Sequence, residues 1–221
     1  SHLDADLRRL GNKALQQVNV NSALHAILDS AGPRYSRLYG LIDFIRNSDA
    51  PVVLFIGGAT GTGKSTLAME LAFRLGIRMA VSTDMIRETM RTVLSAEVVP
   101  GLHDHSFRGM LQGGEALSDP RERVIAGFRQ QAEQVAAGVR GVIRRALREN
   151  THIVVEGTHV VPPFAQYLPS PDIMHAGLIL AVPSKTAHRE RFPERAKTQR
   201  KRDASAYLDA FQSVRWIHDD L

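Results

Sequence analysis

Val52-Val53-Leu54-Phe55-Ile56-Gly57-Gly58-Ala59-Thr60-Gly61-Thr62-Gly63-Lys64-Ser65 is the stretch on which the reading of this chain turns. Its first five residues follow Pro51 and form a short apolar run, the pattern of a strand buried on both faces. Beyond the glycines, Leu67, Leu71 and Leu75 fall on one face of a helix from Ser65 that ends at Gly76, where a C-cap glycine belongs. The turn between them, Gly58 to Ser65, has two glycines five apart followed by lysine and a hydroxyl residue, the Walker A pattern. Backbone N–H groups can converge on phosphate oxygens only where the chain curls through positive φ without Cβ atoms in the way, which is why glycine recurs there. Gly58, Ala59, Thr60, Gly61, Thr62, Gly63, Lys64, Ser65 and Thr66 are therefore the candidate nucleotide-binding residues. Lys64 would reach the β and γ phosphates, and Ser65 would offer its hydroxyl to Mg²⁺.

Working outward, the alternation of strand and helix continues on the C-terminal side. The spacing predicts a strand near 78–81, a helix from about Asp84 to Leu94 and an irregular stretch through Pro100-Gly101. From Ser118-Asp119-Pro120 a long helix should run to about Glu149, with Val124, Phe128, Val135, Val139, Val142 and Ala146 on one stripe. Strands are expected at 153–156 and 174–182, a helix after Pro183, and a last helix over 204–221. The fold class is then α/β, of the P-loop NTPase type: a parallel sheet of four to five strands with helices on both faces. On the N-terminal side, residues 1–50 read as a helical extension from leucines and isoleucines at three-to-four-residue spacing, broken near Gly32-Pro33. The main domain would be 51–221, with a helical lid at about 184–203. Ser1-His2-Leu3, without a methionine, reads as the remnant of a tag.

Composition narrows the classes. The 221 residues are 43% hydrophobic and 23% charged, the balance of a folded globular domain, and no run of about 18 apolar residues suggests a membrane span. Cysteine is absent, which excludes a disulfide framework, a thiolate metal site and a cysteine nucleophile, and fits a cytoplasmic setting. The net charge is +5, but residues 185–202 hold eight basic and two acidic side chains, a local +6, so the remainder sums to −1. One segment thus carries the excess, and it suits an anion.

Asp84 follows the expected second strand and opens a helix bearing Arg87 and Arg91 one turn apart. In a parallel sheet the carboxyl ends of neighbouring strands open onto one crevice. There Asp84 could take the proton of an attacking hydroxyl while Arg87 and Arg91 clamp an anionic acceptor; a helix cap with solvated arginines is the plainer alternative. Glu156 ends the apolar run 153–155 and could hold Mg²⁺ with Ser65, or orient the acceptor. His159 could bind a substrate anion or be a structural histidine, and His103, His105 and Ser106 could complete the anion pocket or lie on a surface loop. The basic segment suits a lid whose arginines, Arg191 and Arg195 first among them, neutralise charge on a transferring phosphoryl group, with Lys64 and Asp84 completing the catalytic set.

With these residues in view, the sequence resembles the 2-phosphoglycerate kinase family. The likeness is carried by Ile56 to Thr66, by Ser82-Thr83-Asp84-Met85-Ile86-Arg87-Glu88-Thr89-Met90-Arg91, by Val155-Glu156-Gly157-Thr158-His159-Val160-Val161-Pro162, and by His188 to Arg202 with Tyr207, Phe211 and Arg215 beyond. The first stretch is common to P-loop kinases, and the second and third are more specific. The loop from His103 to Phe107 matches the family's serine-rich acceptor loop only loosely. The resemblance implies ATP-dependent phosphorylation of the 2-phosphoglycerate hydroxyl to give 2,3-bisphosphoglycerate, with Mg²⁺, and a small anionic substrate as partner. Two other readings stay open from the residues: a P-loop kinase of the toxin or antibiotic-modifying type, and a nucleotide-dependent nucleic-acid or regulatory module. Sparse aromatics in the basic segment weigh against the last.

Overall fold

The computed structural model describes residues 40, 42–45, 47–108, 117–198 and 204–221, with side chains at 194–198 and 204 left aside. The chain divides into two units, Ser1–Ser48 and Asp49–Leu221. Of the first, residues 42–45 and 47 are helical, with Asn47 donating to Asp43 one turn earlier. The helical pattern expected from residue 3 to residue 39 lies outside the described residues.

The second unit carries β1 (Val53–Gly57), α1 (Lys64–Leu75), β2 (Met79–Ser82), α2 (Thr83–Val93), a single turn α3 (Pro100–His103), α4 (Pro120–Arg148), β3 (Ile153–Glu156), a 3₁₀ turn at Phe164–Tyr167, β4 (His175–Ile179), α5 (Lys185–Thr198), α6 (Ala204–Asp209) and α7 (Phe211–Asp220). Among the described residues the sheet has four strands in the order β2-β3-β1-β4, all parallel. Running from β1 to β2 the chain passes over β3, and from β2 it comes back. Right-handed crossovers in opposite directions put α1 and α4 on opposite faces of the sheet. On one face Val53, Phe55, Ile153 and Val155 meet Val135, Val139 and Ile143 of α4, every one of them buried. On the other, α1 lies along β1, β2 and β3 through Ala68, Ala72 and Leu75. A second cluster, with Ala59, Phe107, Phe128, Phe192, Val214 and Ile217, gathers the helices around the loop that follows β1.

Beyond shifts of a single residue, three features differ from the sequence reading. β4 stops at Ile179 rather than 182, because β1 ends at Gly57 and the last ladder bond is Leu180 N–H to the Gly57 carbonyl. The expected helix over 204–221 is two helices, parted at Ala210, and across that bend Tyr207 and Phe211 both reach the Phe192 ring, at 5.7 and 6.1 Å. Ser82, not Asp84, caps α2: its hydroxyl accepts from the N–H groups of Asp84 and Met85 at 3.1 and 3.4 Å. The Asp84 carboxylate is therefore not occupied as a helix cap.

Candidate active site at the carboxyl ends of the strands

β1 delivers the loop 58–63. Gly58, Gly61 and Gly63 have φ of 136°, 86° and 96°, the left-handed curl that the glycine spacing anticipates. Inside the curl the Thr62 hydroxyl donates to the Ala59 carbonyl at 3.0 Å, and the Lys64 ammonium donates to the same oxygen at 2.8 Å. α1 starts on Gly63 with no side-chain cap and no acidic residue in its first turn, so its N–H groups and dipole face the loop unopposed. β3 delivers Glu156, in register with Ile56 of β1 on one side and Ser82 of β2 on the other. The Ser65 hydroxyl donates to Glu156 Oε1 at 3.1 Å. Gly157 then turns at φ 149°, and a Cβ there would meet the Thr83 hydroxyl at 1.8 Å, so the start of α2 can sit directly against the end of β3.

These ends enclose a cleft of about 110 Å³ whose lining includes Lys64, Ser65, Asp84, Arg87, Glu156, His105, Ser106 and Tyr207. Asp84, placed by β2 and α2, thus opens onto the same space as the lysine of the glycine loop. Arg87 donates through Nη1 to the Asp104 carbonyl at 2.8 Å, and its buried Nε has no partner among the described residues. His105 stacks on Phe107 at 4.9 Å; burial holds its imidazole below the usual range, and the charges of Arg108 and Arg87 add to this.

The structure takes three expected acceptor contacts elsewhere. Arg91 pairs with Glu88 at 2.8 Å and does not line the cleft. His103 bonds through Nε2 to the Leu94 carbonyl at 2.7 Å, holding the loop to the end of α2. His159 is 1% exposed, sandwiched between Gln131 of α4 and Thr83, and stands behind Asp84 rather than in the cleft. Its imidazole is pushed down to about 4, chiefly by burial, with Asp84 opposing and Arg87 and Lys64 adding to the effect. It is neutral at physiological pH.

Arg191 of α5 donates through Nη1 to the carbonyls of Thr62 and Gly61, at 3.0 and 3.5 Å. Arg195 falls on the same helix, and its side chain lies outside the described residues. Sequence reasoning passed over His188, Arg215 and Gln131 as site residues. His188 is fully buried; its Nε2 bonds the Thr60 carbonyl at 2.8 Å, and Arg215 approaches its Nδ1 at 3.5 Å while donating to the Val182 carbonyl. The signal for Gln131 was a polar residue on the apolar stripe of α4, three residues after Phe128 and four before Val135.

The donor set fits a magnesium nucleotide. Ser65 and Glu156 present hard oxygen ligands side by side, and the glycine curl with Lys64 presents donors for phosphate. Among the described residues no group of three histidine or acidic side chains could hold a metal alone, so phosphate oxygens and water would complete its shell.

A glycine curl feeding a helix, a carboxylate at the end of β3 and a second carboxylate at the end of β2 define a P-loop α/β protein. No family model matches the chain. It is 35% identical over 219 residues to the 2-phosphoglycerate kinase of Methanopyrus kandleri, covering 96% of this chain and 65% of that protein. With that of Pyrococcus furiosus it shares 32% over 223 residues, covering all of this chain and 72% of the relative. With that of Thermococcus kodakarensis it shares 40% over 179 residues, or 80% of this chain and 59% of the other. The chain belongs to the 2-phosphoglycerate kinase family. It spans 65% and 61% of the relatives from Methanopyrus kandleri and Methanothermobacter thermautotrophicus, respectively. Among solved structures, a chain of the Pnkp1/Rnl/Hen1 RNA repair complex aligns over 78% of this chain and 46% of its own length, with 16% identity and a TM-score of 0.42.

Proposed function

We propose that the protein is a kinase that transfers the γ-phosphoryl group of ATP to the hydroxyl of 2-phosphoglycerate, giving 2,3-bisphosphoglycerate and ADP. The observation that carries this reading is the sharing of one cleft by Asp84, Lys64 and the Ser65–Glu156 pair. Asp84 accepts the proton of the attacking hydroxyl as the new O–P bond forms and the bond to the leaving ADP oxygen breaks. Lys64 exchanges the Ala59 carbonyl for phosphate oxygens, and its charge offsets what builds up on the equatorial oxygens. Ser65 and Glu156 would hold Mg²⁺, which would supply positive charge to offset that of the nucleotide phosphates. Arg87, with His105 and Ser106 beside it in the cleft lining, is the partner for the acceptor's own phosphate and carboxylate; its buried Nε, without a partner among the described residues, supports an anionic acceptor over a neutral one. A cleft of about 110 Å³ supports a small acceptor over a nucleic acid strand. ATP and phosphorylated hydroxy acids occur together in the cytoplasm, which is the setting this reading implies.

The test is direct. The protein is incubated with Mg-ATP and a panel of phosphorylated and unphosphorylated hydroxy acids, and products are identified by mass. A bisphosphorylated product from 2-phosphoglycerate is expected. Transfer to a different acceptor, or nucleotide binding without any transfer, overturns the assignment.

A further inference from the structure

Gln131 sits in the middle of α4 with 3% of its surface exposed, and both ends of its amide are used. Nε2 donates to the Gly101 carbonyl and to the Asp104 carbonyl, the latter at 3.1 Å, while Oε1 lies 2.8 Å from His159 Nε2. Turned over, the amide would set its oxygen against two carbonyl oxygens, so the orientation is fixed by what surrounds it. Oε1 can only accept. His159 must therefore carry its proton on Nε2, and its Nδ1 is a bare lone pair. That lone pair receives the Thr83 hydroxyl, 3.2 Å away, and faces Asp84 Oδ1 at 4.0 Å.

We propose that Gln131 is a positioning residue with two effects on the transfer site: it locks His159 in the tautomer that offers Asp84 no proton, and it anchors the loop that carries His105 and Ser106. The inference rests on the kinase reading of the site. A proton on Nδ1 would point at the Asp84 carboxylate and lower its readiness to take one from the acceptor. The second effect runs through Asp104, whose carbonyl receives both Gln131 and the Arg87 guanidinium, so α2, α4 and the loop are tied at one oxygen. The groups that face His159 are Asp84 and Arg87 from α2, Lys64 from α1, the Thr83 hydroxyl, and the Phe128 ring of α4 at 6.4 Å. The single carboxylate among them would welcome a second imidazole proton, and burial with two cations outweighs it.

The experiment has two arms on the full chain. Nitrogen-15 NMR of the histidines reads the tautomer of His159 without any turnover, with Gln131→Met, close in volume and lacking donor and acceptor, as the comparison. The wild type is expected to show a protonated Nε2 and a bare Nδ1 across the neutral range, and the variant a mixture with Nδ1 protonated. Steady-state kinetics form the other arm. Loss of the loop anchor raises KM for 2-phosphoglycerate roughly tenfold and lowers kcat, while KM for ATP stays within about twofold. A wild-type His159 protonated on Nδ1 overturns the proposal, as does a variant that keeps the wild-type tautomer or raises both KM values alike. A wild type that phosphorylates nothing sinks the kinase reading alone, and the tautomer arm still decides whether Gln131 sets His159.

Discussion

Asp84 and His159 are neighbours, 4.0 Å apart, in opposite surroundings. Asp84 has 60% of its side chain exposed and opens on the cleft, whereas His159 is buried between Gln131 and Phe128 of α4 and Thr83 of α2. Removing the charge but not the shape of Asp84 tests the proton transfer proposed for it. Asp84→Asn is expected to lower kcat by about 10²-fold or more, the usual scale for loss of a general base, with nucleotide affinity nearly unchanged. Stopped-flow turnover together with titration of ATP checks both halves, and undiminished turnover removes Asp84 from the chemistry. The neutral His159 has a consequence for stability. Its folded value of about 4 lies below the unfolded value of 6.5. Above 6.5 neither state is protonated and nothing is lost; as pH falls toward 4 the unfolded chain binds a proton that the native imidazole refuses, so stability declines over that window. His188 and His105 are lowered too and act in the same direction. Urea unfolding at pH 7 and pH 5 should therefore show a smaller drop for His159→Gln than for the wild type, and an identical drop would mean that His159 is not kept neutral.

At the scale of elements, the loop 58–63 and α5 behave as one piece. His188 holds the Thr60 carbonyl, Arg191 holds the Thr62 carbonyl, and Phe192 lies where a side chain on Gly61 would have to go. A Cβ on Gly61 would come within 3.0 Å of the Phe192 ring and 3.2 Å of His188 Nε2, at a φ of 86° that alanine adopts only with strain. Gly61→Ala should thus loosen the grip of α5 on the phosphate loop. Strain of this kind costs about 1–3 kcal/mol, so ATP should bind roughly tenfold or more weakly, as isothermal titration would measure. Unchanged affinity would show that the loop conformation is independent of α5. The loop itself was legible from Gly58 to Ser65, because a phosphate curl demands glycine at fixed places. Its attachment to α5 was not. The basic residues of that segment suggested a lid, and neither His188 nor Phe192 has a pattern that foretells a carbonyl across more than a hundred residues. Helix boundaries were legible from caps and apolar spacing; the break at Ala210 carries no proline or glycine to announce it.

For the whole molecule, the strand order decides which residues can meet. Alternating strands and helices specify a parallel sheet, but not that β3 lies between β2 and β1, and only that order brings Glu156 to Ser65 and Asp84 to the same cleft as Lys64. The single residues Asp84, Lys64, Ser65 and Glu156 could be picked from their places at strand ends. Arg91, His103 and His159 could not be sorted from them, because their partners lie on α2, the following loop and α4. A ligand in this cleft touches residues delivered by β1, β2 and β3 together, so its binding should stabilise the entire fold of residues 49–221 rather than one loop. At a hundredfold excess over its dissociation constant, Mg-ATP should add about 2.7 kcal/mol. For a chain of this size each kcal/mol raises the midpoint by about 2–4 °C. Lys64→Met should abolish most of that shift while leaving the midpoint without nucleotide close to wild type, since the Ala59 carbonyl to which Lys64 donates is held by the Thr62 hydroxyl as well. Differential scanning fluorimetry with Mg-ATP, ATP plus chelator and no nucleotide reads all three terms. A Mg-ATP shift that survives in Lys64→Met would place nucleotide binding somewhere other than the glycine curl.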